Sequence, residues 1–194
     1  GEVGMSKLEG FTITNGHYGI SYSSSSRPSV AKCAIINNNS YGVNADNSIT
    51  LRNCIIAKNK SYGLSLSTAV CDIINCTIHK NTTYGICGSS AAHKVRNCIV
   101  WDNGDDISLS GSYVVSYSCV KNPDSGNGVI HGDPMFVNAD SNDYRLLYTS
   151  PCINAGDPND YCGNEPEPNG GRIDMGAYGN TPATVTINDA DGDD

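Results

Sequence analysis

The chain has 194 residues, a length that fits one domain with a sizeable core. Only 16% of its residues are charged and its net charge is −8, which argues against general affinity for nucleic acids or anionic membranes, because both rest largely on basic residues. No segment approaches the roughly 20 apolar residues of a membrane span, and residues 1–16 lack the basic and apolar regions of a signal peptide. We therefore expect neither nucleic-acid binding nor membrane insertion, with any export signal outside this sequence.

One motif recurs from Phe11 onward at steps of 21 or 22 residues. Each copy begins with an apolar residue or a cysteine, has an aliphatic residue two positions later and Asn or Gly at a following turn, and continues with Tyr-Gly-aliphatic. A fifth copy, from Cys98, has lost its Tyr-Gly, and Cys119 begins a sixth. The four complete copies are Phe11/Ile13/Gly16/Tyr18-Gly19-Ile20, Cys33/Ile35/Asn38/Tyr41-Gly42-Val43, Cys54/Ile56/Asn59/Tyr62-Gly63-Leu64 and Cys76/Ile78/Asn81/Tyr84-Gly85-Ile86.

The length of the repeat selects the architecture. Helical repeats need about 33 residues or more, whereas about 20 to 29 residues fit a leucine-rich repeat or one coil of a β-solenoid, and the leucine-rich pattern is absent. The two apolar positions alternate as in a strand, the Asn marks a turn, and Tyr-Gly-aliphatic begins another strand, with Gly permitting a tight bend or a positive φ. We predict an all-β fold, a parallel β-helix of about five to six coils over residues 1–119.

Equal positions of successive coils lie about 4.8 Å apart in such a stack, so like residues form columns. The cysteines that begin the repeats are predicted to form one inward column of reduced thiols, since a free thiol packs as a small hydrophobe. This column comprises Cys33, Cys54, Cys76, Cys98 and Cys119. The disulfide state of the other four stays open: Cys71, Cys87, Cys152 and Cys162. The last two can close a small loop if the compartment is oxidising.

Asparagines form two further columns. The turn asparagines are predicted to pair their side-chain amides from coil to coil, as Asn ladders do in other stacked sheets. They are Asn38, Asn59, Asn81 and Asn103, of which the first three also match glycosylation sequons. A turn ladder that precedes Ser or Thr accounts for all three, so we favour the structural interpretation. The second column, Asn53, Asn75 and Asn97, precedes the cysteines.

After Cys119 the period is lost and the composition shifts to Asp, Asn, Pro and Gly. A solenoid end exposes unpaired backbone and core, so residues 120–182 are predicted to form an irregular C-terminal cap that docks through short apolar islands. Residues 183–194 are predicted to be an acidic tail or linker. There, Asp189, Asp191 and Asp193 have an oxygen spacing that suits calcium, but the glycine is misplaced for an EF-hand and the distal Glu is absent, so we favour a solvated tail.

Residues 8–119 resemble the right-handed β-helix repeats of the pectin-lyase-like superfamily. The C-terminal segment carries the more specific likeness. Its runs Gly132–Phe136, Asp143–Leu146, Ser150–Asp157 and Asn164–Tyr178 are similar to the segment that closes many large, secreted bacterial and archaeal β-helix proteins. The resemblance implies a right-handed β-helix, secretion or surface display within a longer polypeptide, and for most such relatives no established activity.

Enzymes of that superfamily act on polysaccharides through residues on an outer face, so the outward positions of the repeat are the place to expect a site. Trp101 can stack on a sugar ring, but we favour its being covered by the cap because its large apolar area favours burial. His79 can serve as a general base, but it has no evident carboxylate partner. Stacking brings five outward residues into one candidate glycan-contacting patch: Lys58, His79, Lys80, Trp101 and Asp102.

Three neighbouring aspartates allow a catalytic alternative. Asp102, Asp105 and Asp106 can supply the paired carboxylates of a glycoside hydrolase or bind calcium for a lyase. They fall where the fifth repeat loses its Tyr-Gly, and we favour an altered turn on the approach to the cap. We therefore assign no catalytic residues.

Three functional hypotheses remain. The first is a non-catalytic extracellular or cell-surface module, structural, adhesive or in contact with a polysaccharide or cell-surface glycan, with no cofactor apart from the calcium that the tail would accommodate. The second is the terminal portion of a polysaccharide-active lyase, hydrolase or epimerase. The third is a subunit that stacks head to tail on another copy, or on upstream coils, because the first coil begins with an open edge.

Overall fold

The computed structural model describes residues 6–23, 27–67, 69–89, 92–122, 124–167, 169–183 and 185–186. Short strands form most of its regular structure, and a 3₁₀ helix spans Ala139–Ser141. No helix in these ranges is long and apolar enough to cross a membrane. In chain order the strands are β1 (Lys7–Glu9), β2 (Thr12–Thr14), β3 (Ile20–Tyr22), β4 (Ser29–Ala31), β5 (Ala34–Ile36), β6 (Val43–Ala45), β7 (Thr50–Arg52), β8 (Ile55–Ala57), β9 (Tyr62–Leu66), β10 (Asp72–Ile74), β11 (Thr77–His79), β12 (Tyr84–Gly88), β13 (Lys94–Arg96), β14 (Ile99–Trp101), β15 (Asp105–Leu109), β16 (Val114–Ser116), β17 (Cys119–Val120), β18 (Phe136–Asn138), β19 (Asp143–Leu147) and β20 (Val185–Thr186).

Three parallel sheets run along the molecule and wind into a solenoid. Sheet A contains β1, β4, β7, β10, β13 and β16, sheet B contains β2, β5, β8, β11, β14 and β17, and sheet C contains β3, β6, β9, β12 and β15. One strand of each sheet forms a coil, so five coils are followed by a sixth that contributes β16 and β17. The predicted all-β parallel β-helix of five to six coils is confirmed.

The solenoid interior is filled by aliphatic side chains, which stand at the central position of the three-residue strands in sheets A and B and at alternate positions in sheet C. The register between neighbouring strands places these side chains one above the other along the solenoid. In sheet B, for example, Ile35 pairs with Ile56 and Ile56 with Ile78. Because side chains alternate along a strand, the residues that flank the central position in sheets A and B point outward. The buried stacks comprise Val30, Leu51, Ile73, Val95 and Val115 in sheet A, Ile35, Ile56, Ile78, Val100 and Val120 in sheet B, and Val43, Leu64, Ile86 and Ile107 in sheet C.

Buried asparagines link the coils at the turn between sheets B and C. Asn38 donates its backbone N–H and its side-chain amide to Oδ1 of Asn59, each at 3.0 Å. Asn59 makes the same two bonds to Asn81 at 3.1 and 2.9 Å, and Asn81 makes them to Asn103, both at 2.9 Å. Asn38, Asn59 and Asn81 are at most 1% exposed. The predicted ladder is confirmed, and the three sequons are structural positions.

The glycine of the Tyr-Gly dipeptide is required by the closeness of neighbouring coils. A Cβ added to Gly42 would lie 2.7 Å from the carbonyl oxygen of Gly63 and 2.7 Å from Nδ2 of Asn59, which is too close for any real side chain. Gly42 does not have the positive φ that the sequence allowed for. The dipeptide is therefore explained by close backbone approach to the asparagine ladder.

Asp106 ends the asparagine ladder. Its Oδ1 accepts the backbone N–H and the side-chain amide of Asn103 at 3.1 and 3.0 Å, and its Oδ2 accepts the backbone N–H of Lys121 at 3.0 Å. Burial raises the pKa of this carboxyl, whereas the hydrogen bonds that it accepts oppose the rise. A carboxylate suits this position because it only accepts, whereas an amide would turn an NH₂ group toward N–H donors.

The inward thiol column is confirmed for four of its five predicted members. Each Sγ donates to the carbonyl two residues earlier, as Cys54 does to Arg52 at 3.3 Å. All nine cysteines are free, so Cys152 and Cys162 are not joined. The four buried thiols of the column belong to Cys33, Cys54, Cys76 and Cys98.

The prediction that Cys119 continues the thiol column is wrong. Ser118 aligns with Cys98 instead, because Ser118 Oγ accepts the backbone N–H of Cys98 at 3.1 Å and donates to the Ser116 carbonyl at 2.8 Å. Cys119 pairs in register with Ile99, at an outward position. The last coil is one residue shorter than the sequence alignment assumed, and a shift of one residue moves a strand's side chains to the opposite face.

The C-terminal segment covers two surfaces of the solenoid. Residues 126–131 lie across the last coil, where the Val120 N–H donates to the Ile130 carbonyl at 3.0 Å and Val129 packs on the core. The described residues from 132 to 186 fold back along the outer face of sheet B and include β18, β19 and β20. We call this segment the cover. The sequence predicts an end cap, but the outward side chains of sheet B are apolar enough to need a flanking cover as well. The buried cluster beneath this cover comprises Ile99, Cys119, Leu146, Cys152 and Met175.

Replacement of Asp106 by asparagine is expected to lower the free energy of unfolding by about 1–3 kcal/mol, because a buried N–H donor at the ladder end loses its acceptor. Urea denaturation followed by circular dichroism measures the change. Asp46→Asn is the matched control, since Asp46 is exposed. Equal stability of Asp106→Asn and the native chain would contradict this account of the ladder end.

Candidate functional site

The five predicted site residues stand on sheet B and on the turn that follows it. His79 and Trp101 end β11 and β14 and pair in register. Lys58, Lys80 and Asp102 come directly after β8, β11 and β14, with φ values of 56°, 50° and 59°. These three residues therefore share a left-handed turn conformation in successive coils. The structure brings the five residues together, as the period predicts.

The prediction that His79 faces solvent is wrong. Its side chain occupies an outward position of sheet B, but the flanking cover leaves it 3% exposed. The ring centroids of Phe136 and Tyr144 each lie 5.4 Å from that of His79. Burial lowers the pKa of His79 to about 4, and the nearby Lys80 adds to the shift. A buried, neutral imidazole is poorly placed to act as a general base on a solvent-borne substrate.

Trp101 lies at the edge of the cover and is partly buried. One part of the side chain packs on the cluster around Ile99, and another part lines a groove of about 520 Å³ between the solenoid and the cover. Trp101 is thus covered in part, as the favoured interpretation predicts, and in part open to the groove. The groove presents Lys80, Trp101 and Asp102 from the solenoid and Asp133, Asn138 and Asp140 from the cover. His79 also contributes to its lining, although only 3% of that residue is exposed.

Ion pairs hold the polar groups around this groove. Lys80 Nζ lies 3.0 Å from Asp140 Oδ1, and Lys121 Nζ lies 2.7 Å from Asp102 Oδ1. Lys58 lies beside the groove, where its ammonium group donates to the Asp140 carbonyl at 2.8 Å. Hydrogen bonding to Lys121 and Lys80 lowers the pKa of Asp102 and Asp140, respectively. Both carboxylates are therefore ionised at neutral pH.

The other aspartates of the catalytic alternative have structural partners. Asp105 accepts the side-chain amide of Asn122, and Asp106 ends the asparagine ladder. Within the described ranges, no group of three or more His, Cys, Asp or Glu side chains is placed to hold a metal ion. The candidate calcium residues Asp189, Asp191 and Asp193 lie outside the described residues.

The second asparagine column holds the cover, a role that sequence reasoning missed. Asn53 donates to the carbonyl oxygens of Ala177 and Gly179 at 3.1 and 2.8 Å. Asn75 donates to the Asp174 carbonyl at 3.3 Å, and Asn97 accepts the backbone N–H of Asp157 at 2.7 Å. The recurrence of asparagine at an outward turn could have indicated a binding role for these side chains. Their partners in the cover are visible only in the folded chain.

Two carboxyl groups of the C-terminal segment, those of Glu165 and Asp174, have structural partners. Oε1 of Glu165 accepts the backbone N–H groups of Asp174 and Asn180 at 2.9 and 2.6 Å. Asp174 in turn accepts the backbone N–H of Asn154 at 2.7 Å, and burial raises its pKa to about 6. These carboxyls hold the loops of the cover together and do not line the groove.

A larger groove of about 760 Å³ lies between the first coils and residues 177–183. Phe11, which is 57% exposed, and Tyr178 are among its lining residues, with Lys32 as the charged residue among those described. This groove is mainly apolar. The smaller groove at Trp101 is the better candidate site, because it combines an aromatic ring with several hydrogen-bonding groups.

The architecture matches a known family. The family model described as the right handed beta helix region matches residues 2–93 and 44–142. This chain belongs to the right-handed β-helix family, and its repeats are the coils of that fold. The chain matches no curated protein and no solved structure at a significant level.

Acid is expected to destabilise the fold through His79. Above about pH 6.5 the imidazole ring is neutral in both the folded and the unfolded chain. Between about pH 6.5 and 4 the ring binds a proton in the unfolded chain but stays neutral in the folded chain. The free energy of unfolding should fall by up to about 3 kcal/mol over this interval because of this residue. Urea denaturation at pH 7.5 and pH 4 measures the loss.

His79→Phe keeps an aromatic ring under the cover and is expected to show a smaller loss between the two pH values. The exposed His17 provides the control variant, His17→Phe, which should keep the full loss. His93 is also buried with a lowered pKa, so some loss of stability in acid should remain in His79→Phe. The informative quantity is therefore the difference in this loss between the two variants. An unchanged loss in His79→Phe would contradict this role.

Proposed function

We propose that the chain is a non-catalytic extracellular β-helix module that contacts a glycan in the groove between solenoid and cover. The observation that carries the proposal is the side chain of Trp101 lining a groove that also contains ionised carboxylates and Lys80. An aromatic face supplies apolar contact to a sugar ring, and the surrounding oxygens and ammonium group can hydrogen-bond its hydroxyl groups.

The charge of the groove favours one class of glycan. Asp102, Asp133 and Asp140 line it together with a single lysine, Lys80. Lys121 pairs with Asp102 and Lys58 lies beside Asp140, so the charges around the groove nearly balance and these lysines already have partners. Such a site favours neutral sugars, because it has no unpaired lysine among the described residues to offer the carboxylates of an acidic polysaccharide. The net charge of −8 over the whole chain acts in the same direction.

Binding fits the groove better than hydrolysis does. A glycoside hydrolase needs one carboxyl held in its protonated form by a raised pKa. The pKa of Asp102 and that of Asp140 are both lowered, and each carboxylate is paired with a lysine. His79, the other candidate for proton transfer, lies beneath the cover.

Extracellular placement rests on the resemblance of the C-terminal runs to those of secreted β-helix proteins. Assembly head to tail receives less support, because residues 126–131 lie over the last coil and the Ile130 backbone already pairs with Val120. A copy docking there would have to displace these residues before it met a free edge.

Trp101 is the only tryptophan, so its fluorescence reports on the groove directly. Titration of the full chain with neutral oligosaccharides is expected to change the intensity or wavelength of emission in a saturable way. Oligogalacturonates of the same length should have at least about tenfold weaker affinity, because their carboxylates meet those of the groove while the nearby lysines are already paired.

Trp101→Ala should abolish binding in calorimetry, while Tyr161→Ala should leave it unchanged. Tyr161 is the matched control because it is an aromatic residue of the C-terminal segment that is 69% exposed and does not line the groove. Both variants are checked for unchanged circular dichroism. Absence of binding across the panel, or equal binding by Trp101→Ala, would refute the glycan proposal.

A further inference from the structure

Two cysteines from distant parts of the chain meet at the junction of solenoid and cover. Cys119 belongs to β17 and points outward beneath the cover, and Cys152 lies in the turn that follows β19. Both side chains have 0% exposure, and both belong to the same buried cluster. The Cys119 thiol donates to the Gly132 carbonyl at 3.1 Å, and it lies near enough to the Cys152 thiol for that neighbour to raise its pKa.

The backbone on both sides of this pair is firmly held. Cys119 donates its N–H to the Cys98 carbonyl at 2.8 Å. Cys152 donates its N–H to Ser150 Oγ at 3.2 Å, and its carbonyl accepts the N–H of Met175 at 3.0 Å. Each thiol is thus carried by a segment with its own hydrogen bonds, so their adjacency follows from the docking of the cover on sheet B.

We propose that Cys119 and Cys152 form a disulfide that joins the cover to the last coil when the chain folds under oxidising conditions. The other thiols of the solenoid have different surroundings. Cys54 and Cys76 are also neighbouring thiols, but both belong to the inward column of the solenoid, so a bond between them would not join the cover to the last coil. Cys162 is partly exposed and lies outside the buried cluster.

The chemistry requires an external disulfide as oxidant, for which oxidised glutathione serves. The thiolate of one cysteine attacks a glutathione sulfur, breaks its S–S bond and releases one reduced glutathione. The second cysteine then attacks the protein sulfur of the mixed disulfide and releases the second glutathione. Two protons pass from the protein thiols to the two glutathione thiolates, so the protein loses two electrons and glutathione gains them.

The reaction with glutathione should take place before the cover has docked, and the second cysteine should reach the mixed disulfide as the cover approaches sheet B. In the folded chain Cys119 has no solvent exposure, and its pKa is raised by the neighbouring Cys152 thiol and by burial. A thiolate is therefore disfavoured there, and a glutathione molecule cannot reach the sulfur. Once formed, the bond would keep the cover on sheet B and so preserve the groove at Trp101.

The test uses the full chain refolded with and without a mixture of oxidised and reduced glutathione, followed by alkylation of free thiols and mass spectrometry. Chymotrypsin separates the relevant cysteines, because cleavage after Tyr117 parts Cys119 from Cys98 and cleavage after Tyr161 parts Cys152 from Cys162. The expected product is one cross-linked peptide pair containing Cys119 and Cys152, lighter by two hydrogen atoms than the two reduced peptides together.

Recovery of Cys119 and Cys152 as alkylated thiols, or a bond from either one to another cysteine such as Cys162, overturns the proposal. Cys162→Ala is the matched control and should retain the cross-link, whereas Cys152→Ala should lose it and leave Cys119 alkylated. A second measurement is limited proteolysis of the cover. Its cleavage should accelerate roughly tenfold or more when the oxidised native chain is reduced, and reduction should have no such effect on Cys152→Ala.

Discussion

The rest of the molecule depends on the hydrogen bonds between stacked asparagines. Each turn asparagine gives both its backbone N–H and its side-chain amide to the oxygen of the next, as Asn59 does to Asn81. This contact is satisfied in every coil only if the coils keep the same shape and register. Equal spacing then places every other position of the repeat in a column, and it leaves room only for glycine at Gly42 and its equivalents.

Columns on the outside of the solenoid create the second half of the structure. The outer face of sheet B carries apolar side chains, and the asparagines at its edge offer amide groups at regular intervals. The C-terminal segment uses both features, burying its own apolar residues and accepting the asparagine hydrogen bonds. The groove at Trp101 exists only because this segment stops short of covering the tryptophan completely.

The repeat predicts the coil number, the asparagine ladder and four of the five inward thiols, because each depends on contacts between equivalent positions. It fails at Cys119, where the last coil is one residue short and alternation turns the side chain outward. It also fails for His79, whose outward position is predicted from the period but whose burial beneath Phe136 and Tyr144 depends on a segment with no period.

The period of the repeat is enough to predict the parallel β-helix and the stacking of Lys58, Lys80 and Asp102, because a fixed period places equal residues at equal angles around the axis. The position of the cover along sheet B and the pairing of Lys80 with Asp140 are visible only in the folded chain. The same is true of the proximity of Cys119 and Cys152. These contacts join residues that no local rule relates, so they arise only when the apolar face of the solenoid and the irregular segment bury each other.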